Sequence, residues 1–265
     1  MLDRNRIDMK YNTDLNVIGG LKDYNVIQKS LESYFSDSDS FNALIQQRNE
    51  FNLRTEKSRS RIEAAINSSF LSFRNQNHID LMQGIFDKNS SGVMQKELIL
   101  FWQFAVCNRL FFDLSANVFM KNYFSGRVGL SKDDLVGYLK EFLVQNNSLN
   151  LKWSEITIET LATKYLSFMT KLGFLTGART KTFQHTKISG ESLVLLLYFA
   201  QIHAPENKNV LTNKMLPLSF VTTEDMQGRL KKLSLKGYFN MNFNGVALNI
   251  ELIHSYKGIC DVLYR

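Results

Sequence analysis

A chain of 265 residues, 44% hydrophobic and 12% aromatic, carries enough apolar side chain for a buried core, which excludes a disordered chain. Its formal charge of +7 favours a polyanionic partner without choosing between nucleic acid and a membrane surface. Its two cysteines, Cys107 and Cys260, lie far apart in apolar contexts, which excludes a disulfide framework and fits a reducing compartment.

In chain order, residues 1–18 read as an extended polar arm, too charged for a signal peptide. Leu21, Tyr24, Ile27, Leu31 and Phe35 recur at helical spacing and predict a helix over 21–35. The cluster "SDSDS" breaks it, and a second helix is expected through about Asn52. Thr55 caps a third, over about 56–73, with Ile62, Ala65, Ile66, Phe70 and Phe73 inward. Three short helices with a basic third one outline a helix-turn-helix module over residues 1–75.

Residues 76–177 read as a helical bundle, with helices over about 78–87, 93–112 and 114–124. Ser131 and Asp134 form a capping box for the next helix, and Ser154 starts a long one that ends at Gly173. The apolar run 98–114 contains Gln103, Asn108 and Arg109 and is too short to span a membrane, so a core helix is expected.

Residues 178–265 form the third expected segment. Here 178–188, "ARTKTFQHTKI", reads as a basic boundary, followed by an apolar helix over about 190–203. Thr223 is expected to cap a helix that stops at Gly237. Phe239, Met241 and Phe243 then alternate with polar residues, as do Val246, Leu248 and Ile250, with Asn244-Gly245 between the two runs. That is a hairpin signal, and helix, short turn and hairpin are the closing part of a winged helix. The expected fold is therefore mainly α: a helix-turn-helix module, a helical bundle, and a C-terminal winged-helix-like module with one β-hairpin.

Catalytic patterns are absent from the sequence. It has no GxxxxGK or GxGxxG turn, and its four histidines lack metal spacing. "DKNSSG" at 87–92 imitates the start of a calcium loop, but its twelfth position is Leu98, so the bidentate ligand is missing. "ENK" at 206–208 has a nuclease-like spacing but sits in a loop after Pro205, with no upstream acid on a strand. No enzyme, cofactor or small-molecule substrate is expected.

Basic charge is focused instead. Residues 176–265 carry 11 basic and 6 acidic residues. Residues 53–74 concentrate Arg54, Lys57, Arg59, Arg61 and Arg74 against Glu56 and Glu63. At 100° per residue, Lys57, Ser60, Arg61, Ala64 and Ser68 fall opposite the apolar face of the third helix. Arg59 projects near the apolar side. Small residues allow close approach to a groove while Lys and Arg reach phosphates, so Arg54, Lys57, Ser60 and Arg61 are candidate DNA contacts. Arg229, Lys232 and Lys236 form a second candidate face, with Asn242 and Asn244 near the hairpin tip. The competing reading of both faces is a solvated helix surface, or a module that binds protein.

The stretches "IGGLKDYNVIQKSLESYF", "LIQQRNEFNLRTEKSRSRIEAAI" and "WSEITIETLATKYLSFMTKLGFL", with the apolar helix near 98–105, resemble the BrxA family of BREX phage-defence systems over roughly residues 13–177. The resemblance implies a helical, non-catalytic protein of the bacterial cytoplasm that binds double-stranded DNA and works with other BREX components, off the membrane. An adaptor that holds defence proteins without touching DNA is the alternative, and a nuclease is the third reading.

Overall fold

The computed structural model describes residues 11–36, 43–49, 51–86, 94–207 and 209–264. The arm residues Arg4, Arg6 and Lys10 and the calcium-like loop 87–92 lie outside them.

The N-terminal segment forms α1 (Leu15–Ile18), α2 (Asn25–Phe35) and α3 (Glu56–Phe70). Of the expected second helix, the described part is a single π-helical turn, Ala43–Gln47. Thr55 caps α3 as its sequence suggests, its Oγ1 accepting the Ser58 amide at 3.1 Å. The helix ends earlier than expected: the Leu71 amide reaches back to the Ile66 carbonyl, so Phe73 lies beyond the helix.

After α4 (Gln76–Phe86) come α5 (Lys96–Cys107) and α6 (Arg109–Leu114), where the sequence suggested one helix. The break is Asn108. Its backbone is extended (φ −129°, ψ 109°) and its side chain accepts the Phe111 amide at 2.9 Å. A side-chain acceptor that satisfies the first amides of a new helix stabilises a restart in place of a continuation. A π turn over Ser115–Phe119 joins α6 to α7 (Met120–Phe124).

β1 (Gly129–Leu130) precedes α8 (Lys132–Gln145), which opens on the expected Ser131/Asp134 capping box. α9 (Glu155–Lys171) is followed by Gly173 at φ +78°. β2 (Leu175–Thr176) and β3 (Lys181–Phe183) come next, and the sheet order is β1–β3–β2, antiparallel throughout. The stretch 178–188, expected as a boundary, therefore contributes the central strand of a sheet. Its basic and threonine residues obscured the strand because none of the three positions of β3 is fully buried.

α10 (Gly190–His203) leads through 3₁₀ turns at Val210–Thr212 and Leu216–Ser219 to α11 (Thr223–Leu235). The cap of α11 is Thr222, one residue before the expected Thr223, and its hydroxyl accepts the Asp225 amide. Gly237 at φ +80° ends this region, as expected. β4 (Phe239–Phe243) and β5 (Leu248–Leu252) pair with Phe243 opposite Leu248, and α12 (Ile259–Leu263) closes the chain.

Two compact units result, one from residues 9–72 with 107–186, the other from 73–106 with 187–265. The expected segment 76–177 thus divides at Val106, and 178–265 divides at Thr186.

In the first unit, Phe70, Phe111, Phe119, Tyr165 and Phe168 are buried, and the Tyr165 hydroxyl bonds Ser115 Oγ at 3.0 Å. Gly19 lets α1 press on α9: a Cβ there would stand 2.2 Å from the Lys164 carbonyl oxygen. The Lys171 ammonium holds the contact by donating to the carbonyls of Gly19, at 2.9 Å, and Leu21. Gly19→Ala is therefore expected to destabilise by about 2–3 kcal/mol, the cost of forcing a packed contact apart. Gly137 is helical and exposed, and a Cβ there would meet no atom within 4 Å. Gly137→Ala should instead stabilise by about 0.5–1 kcal/mol. Urea denaturation of the two variants checks the contrast.

In the second unit, α10 is buried on nearly every side, from Leu193 through Ala200. The Trp102 indole donates to the Leu218 carbonyl at 2.9 Å. Arg74 donates to the Val106 carbonyl in the last turn of α5 and to the His203 carbonyl at the end of α10, both at 3.0 Å. A cation on carbonyls at two helix C-termini satisfies acceptors that lack intrahelical partners and opposes both dipoles.

Candidate nucleic-acid interface

The outward face of α3 is built as its periodicity suggests. Arg54, Lys57, Ser60, Arg61 and Ala64 are exposed, whereas Ala65, Ile66, Ser69 and Phe70 are buried. Arg59 is half-buried, in keeping with its position near the apolar side. Ser68 is half-buried and its hydroxyl bonds Asp14, so it belongs to the packing of the unit. Gln46, from the π turn, donates to Ser60 Oγ at 3.3 Å and to Glu63 at 2.6 Å. Glu63 is thereby drawn toward Gln46. Among the described residues, none of Arg54, Lys57 and Arg61 pairs with a carboxylate. Their charges project outward beside the helix N-terminus, which itself carries partial positive charge.

α11 buries Met226, Leu230 and Leu233. Arg229, Lys232 and Lys236 are exposed along one flank, again without ion-pair partners among the described residues. The stripe opposite the buried side contains Gly228 and Lys231, which sequence reasoning missed. Both are exposed, and a Cβ on Gly228 would meet no atom within 4 Å. Their signal was available: at 100° per residue both fall opposite Met226, Leu230 and Leu233. A glycine here permits close approach of a groove to the helix backbone.

The hairpin beyond α11 is anchored at its outer strand. Asn209 bridges to Asn249, and its side-chain oxygen accepts the amides of Leu248, at 3.1 Å, and Leu211, at 3.2 Å. At the tip, the loop 244–247 is braced by Asn244, whose Oδ1 accepts the amides of Val246 at 3.1 Å and Ala247 at 2.8 Å. Asn242 is exposed opposite Asn249. Asn244 is exposed too, and its carbonyl oxygen is engaged in holding the loop.

The first unit repeats this order of elements in β1, α8, α9 and the β2–β3 hairpin, an arrangement absent from the sequence-based expectation. Its electrostatics differ. Glu155 and Glu159, in the first turns of α9, pair with Lys140 at 2.7 Å and Lys132 at 3.0 Å. The outward N-terminal part of α9 is thus acidic and internally compensated, which disfavours a phosphate there.

Among the described residues, no group of three or more His, Cys, Asp or Glu is placed to hold a metal ion, and no single helix is long and apolar enough to cross a membrane. Of the "ENK" stretch, Glu206 is exposed in a turn and Lys208 lies outside the described residues. Both cysteines are buried, and burial pushes the Cys260 thiol up to about 12, opposite to what a nucleophile needs.

No curated protein and no solved structure matches the chain. A family model does, the BrxA model, over residues 22–197, which takes in α2 through most of α10 and more than half of the sequence. The chain therefore belongs to the BrxA family, with a role associated with BREX phage defence.

Proposed function

We propose that the protein is a non-catalytic accessory component of a BREX system that binds double-stranded DNA, largely through the backbone and with little sequence preference. The observation that carries this reading is the pair of helices, α3 and α11, each with cations exposed and unpaired among the described residues, with Ser60 and Ala64 on the outer stripe of α3 and Gly228 on that of α11. Lysines and arginines that hold no carboxylate are available to replace the counterions of a duplex. In this reading α11 is the groove helix and the anchored β4–β5 hairpin is the wing of a winged-helix module. The proposed setting is the bacterial cytoplasm, alongside other BREX components.

Fluorescence anisotropy on duplex, single-stranded DNA and RNA probes at several salt concentrations tests this. The expected result is preferential duplex binding, with log K falling by roughly 0.9 per phosphate contact per decade of salt. Equal and weak binding to all three probes would remove the reading.

A second reading, an adaptor that holds other defence proteins without touching DNA, is favoured by the α8–α9 pair. Val144 is 80% exposed and Ile156 79% exposed, beside compensated charges. Such a surface suits a protein contact better than a phosphate. The adaptor alone predicts a stable complex with BREX proteins that is indifferent to added duplex DNA.

A further inference from the structure

We propose that the tip of the β4–β5 hairpin is an apolar wedge that enters the DNA minor groove and bends the duplex, with Val246 as the inserted side chain. This rests on the duplex-binding reading and adds to it a distortion of the DNA and a residue responsible for it. The hairpin lies outside the segment matched to the family.

Three observations carry the inference. First, the hairpin carries no phosphate-tracking charge: residues 238–253, "YFNMNFNGVALNIELI", contain no lysine or arginine, and their single acid, Glu251, accepts a hydrogen bond from Asn240 at 3.1 Å. A wing that drew its affinity from counterion release along the backbone would carry cations.

Second, the tip is apolar and rigidly presented. Val246 is 84% exposed and Phe243, at the end of β4, 40% exposed. The loop that carries Val246 is held by the two amide bonds to Asn244 Oδ1, by the Asn244 amide on the Ala247 carbonyl at 3.3 Å, and by Gly245 at φ +91°. An ordered loop that exposes a valine leaves hydrophobic free energy unrealised until something covers it.

Third, directly behind the tip the outer face of the hairpin is lined by amides, with Asn242 opposite Asn249 and both exposed. Neutral amides suit the acceptor-rich floor of the minor groove, and apolar side chains inserted there unstack a base step and kink the duplex. The cations of the adjoining α11 select a polyanion over an apolar protein surface as the occupant.

The test uses the full chain and one duplex, labelled at both ends for energy transfer and at one end for anisotropy. Wild-type protein is expected to shorten the end-to-end distance in the way a bend of about 20–90° does. Val246→Ser should weaken affinity about tenfold and reduce the bend, whereas Val246→Leu should retain both. Because Val246 is almost fully exposed, these substitutions leave the fold intact, which circular dichroism checks. No duplex binding by the wild type overturns the DNA reading and the wedge with it. Binding without a bend, or a bend unchanged in Val246→Ser, overturns the wedge alone. So does a Val246→Ser variant that keeps affinity and bend but loses a BREX protein partner, which identifies the tip as a protein contact.

Discussion

Lys57→Glu combined with Arg61→Glu is expected to lower duplex affinity by roughly 30-fold or more near physiological salt and to reduce the salt slope by about 2. The size follows from counterion release. Each lysine or arginine on a phosphate contributes about 0.9 to the slope, so two lost contacts remove about 1.8. At about 0.15 M salt that loss corresponds to roughly 30-fold, before any repulsion from the new carboxylates is added. Both side chains are exposed on the outward stripe of α3, away from Ala65, Ile66 and Phe70, so the reversal should leave stability nearly unchanged. Lys140→Gln is the matched control. It removes a cation already paired with Glu155 at 2.7 Å and should alter affinity little. An unchanged affinity and slope in the double reversal would identify the α3 face as a solvated surface. The corresponding test on the other unit is Arg229→Glu with Lys232→Glu.

Acidification below about pH 6.5 is expected to destabilise the unit formed by residues 73–106 and 187–265 through two buried histidines. Burial first, and the nearby Arg74 guanidinium next, hold His78 down to about 4 against the bonding to Gln103, which opposes the shift. His203 is likewise lowered to about 4, by burial, Arg74 and Lys214. His78 Nδ1 accepts the Arg74 amide at 3.3 Å, and Nε2 lies 2.7 Å from Gln103 Oε1. That arrangement fits a neutral ring protonated on Nε2, and a second proton on Nδ1 would face the Arg74 N–H. In the unfolded chain both histidines bind protons below about 6.5, whereas the folded chain excludes them until about 4. Stability is therefore complete above about 6.5, falls as the pH drops through the window from about 6.5 to about 4, and levels off below it. At about pH 5 the loss is about 2 kcal/mol per histidine, or about 4 for the pair, against a typical total of about 5–15. Urea denaturation at pH 7, 6 and 5 should show the decline, and His203→Gln should roughly halve its slope. A midpoint independent of pH over this range would show that neither ring is held neutral by folding.

Much of the geometry of the candidate interface was legible in the chain. Thr55, the apolar face of α3 and the exposed Lys57–Ser60–Arg61 stripe follow from a cap and a 3.6-residue period, both local properties. The hairpin was legible for the same reason: two alternating runs flank Asn244-Gly245. The misses came where local signals compete. Asn108 lies inside an apolar run that reads as one helix, yet its side chain caps a new one. Lys181–Phe183 lacks an alternating pattern because it is only half-buried, and its identity as a strand depends on β1 and β2, which pair with it on either side. The sequence pattern offers Asn242 and Asn244 as the contact residues near the tip. The hydrogen bonds that engage the Asn244 oxygen depend on the loop conformation, and so does the 84% exposure of Val246 beside it.

The sequence by itself determined the helical class, the caps Thr55 and Ser131, the hairpin and the two basic faces, because each depends on neighbours within a few residues. Only the tertiary structure decided that residues 9–72 join 107–186 while 73–106 join 187–265, and that α9 is compensated by lysines from α8 while α3 and α11 keep their charge outward. Those outcomes depend on which distant surfaces bury each other. The free energy of such burial is nearly non-directional, so many pairings suit the same apolar pattern, and only packing, close contacts such as Gly19 on the Lys164 carbonyl, and cross-chain hydrogen bonds such as those of Arg74 select one.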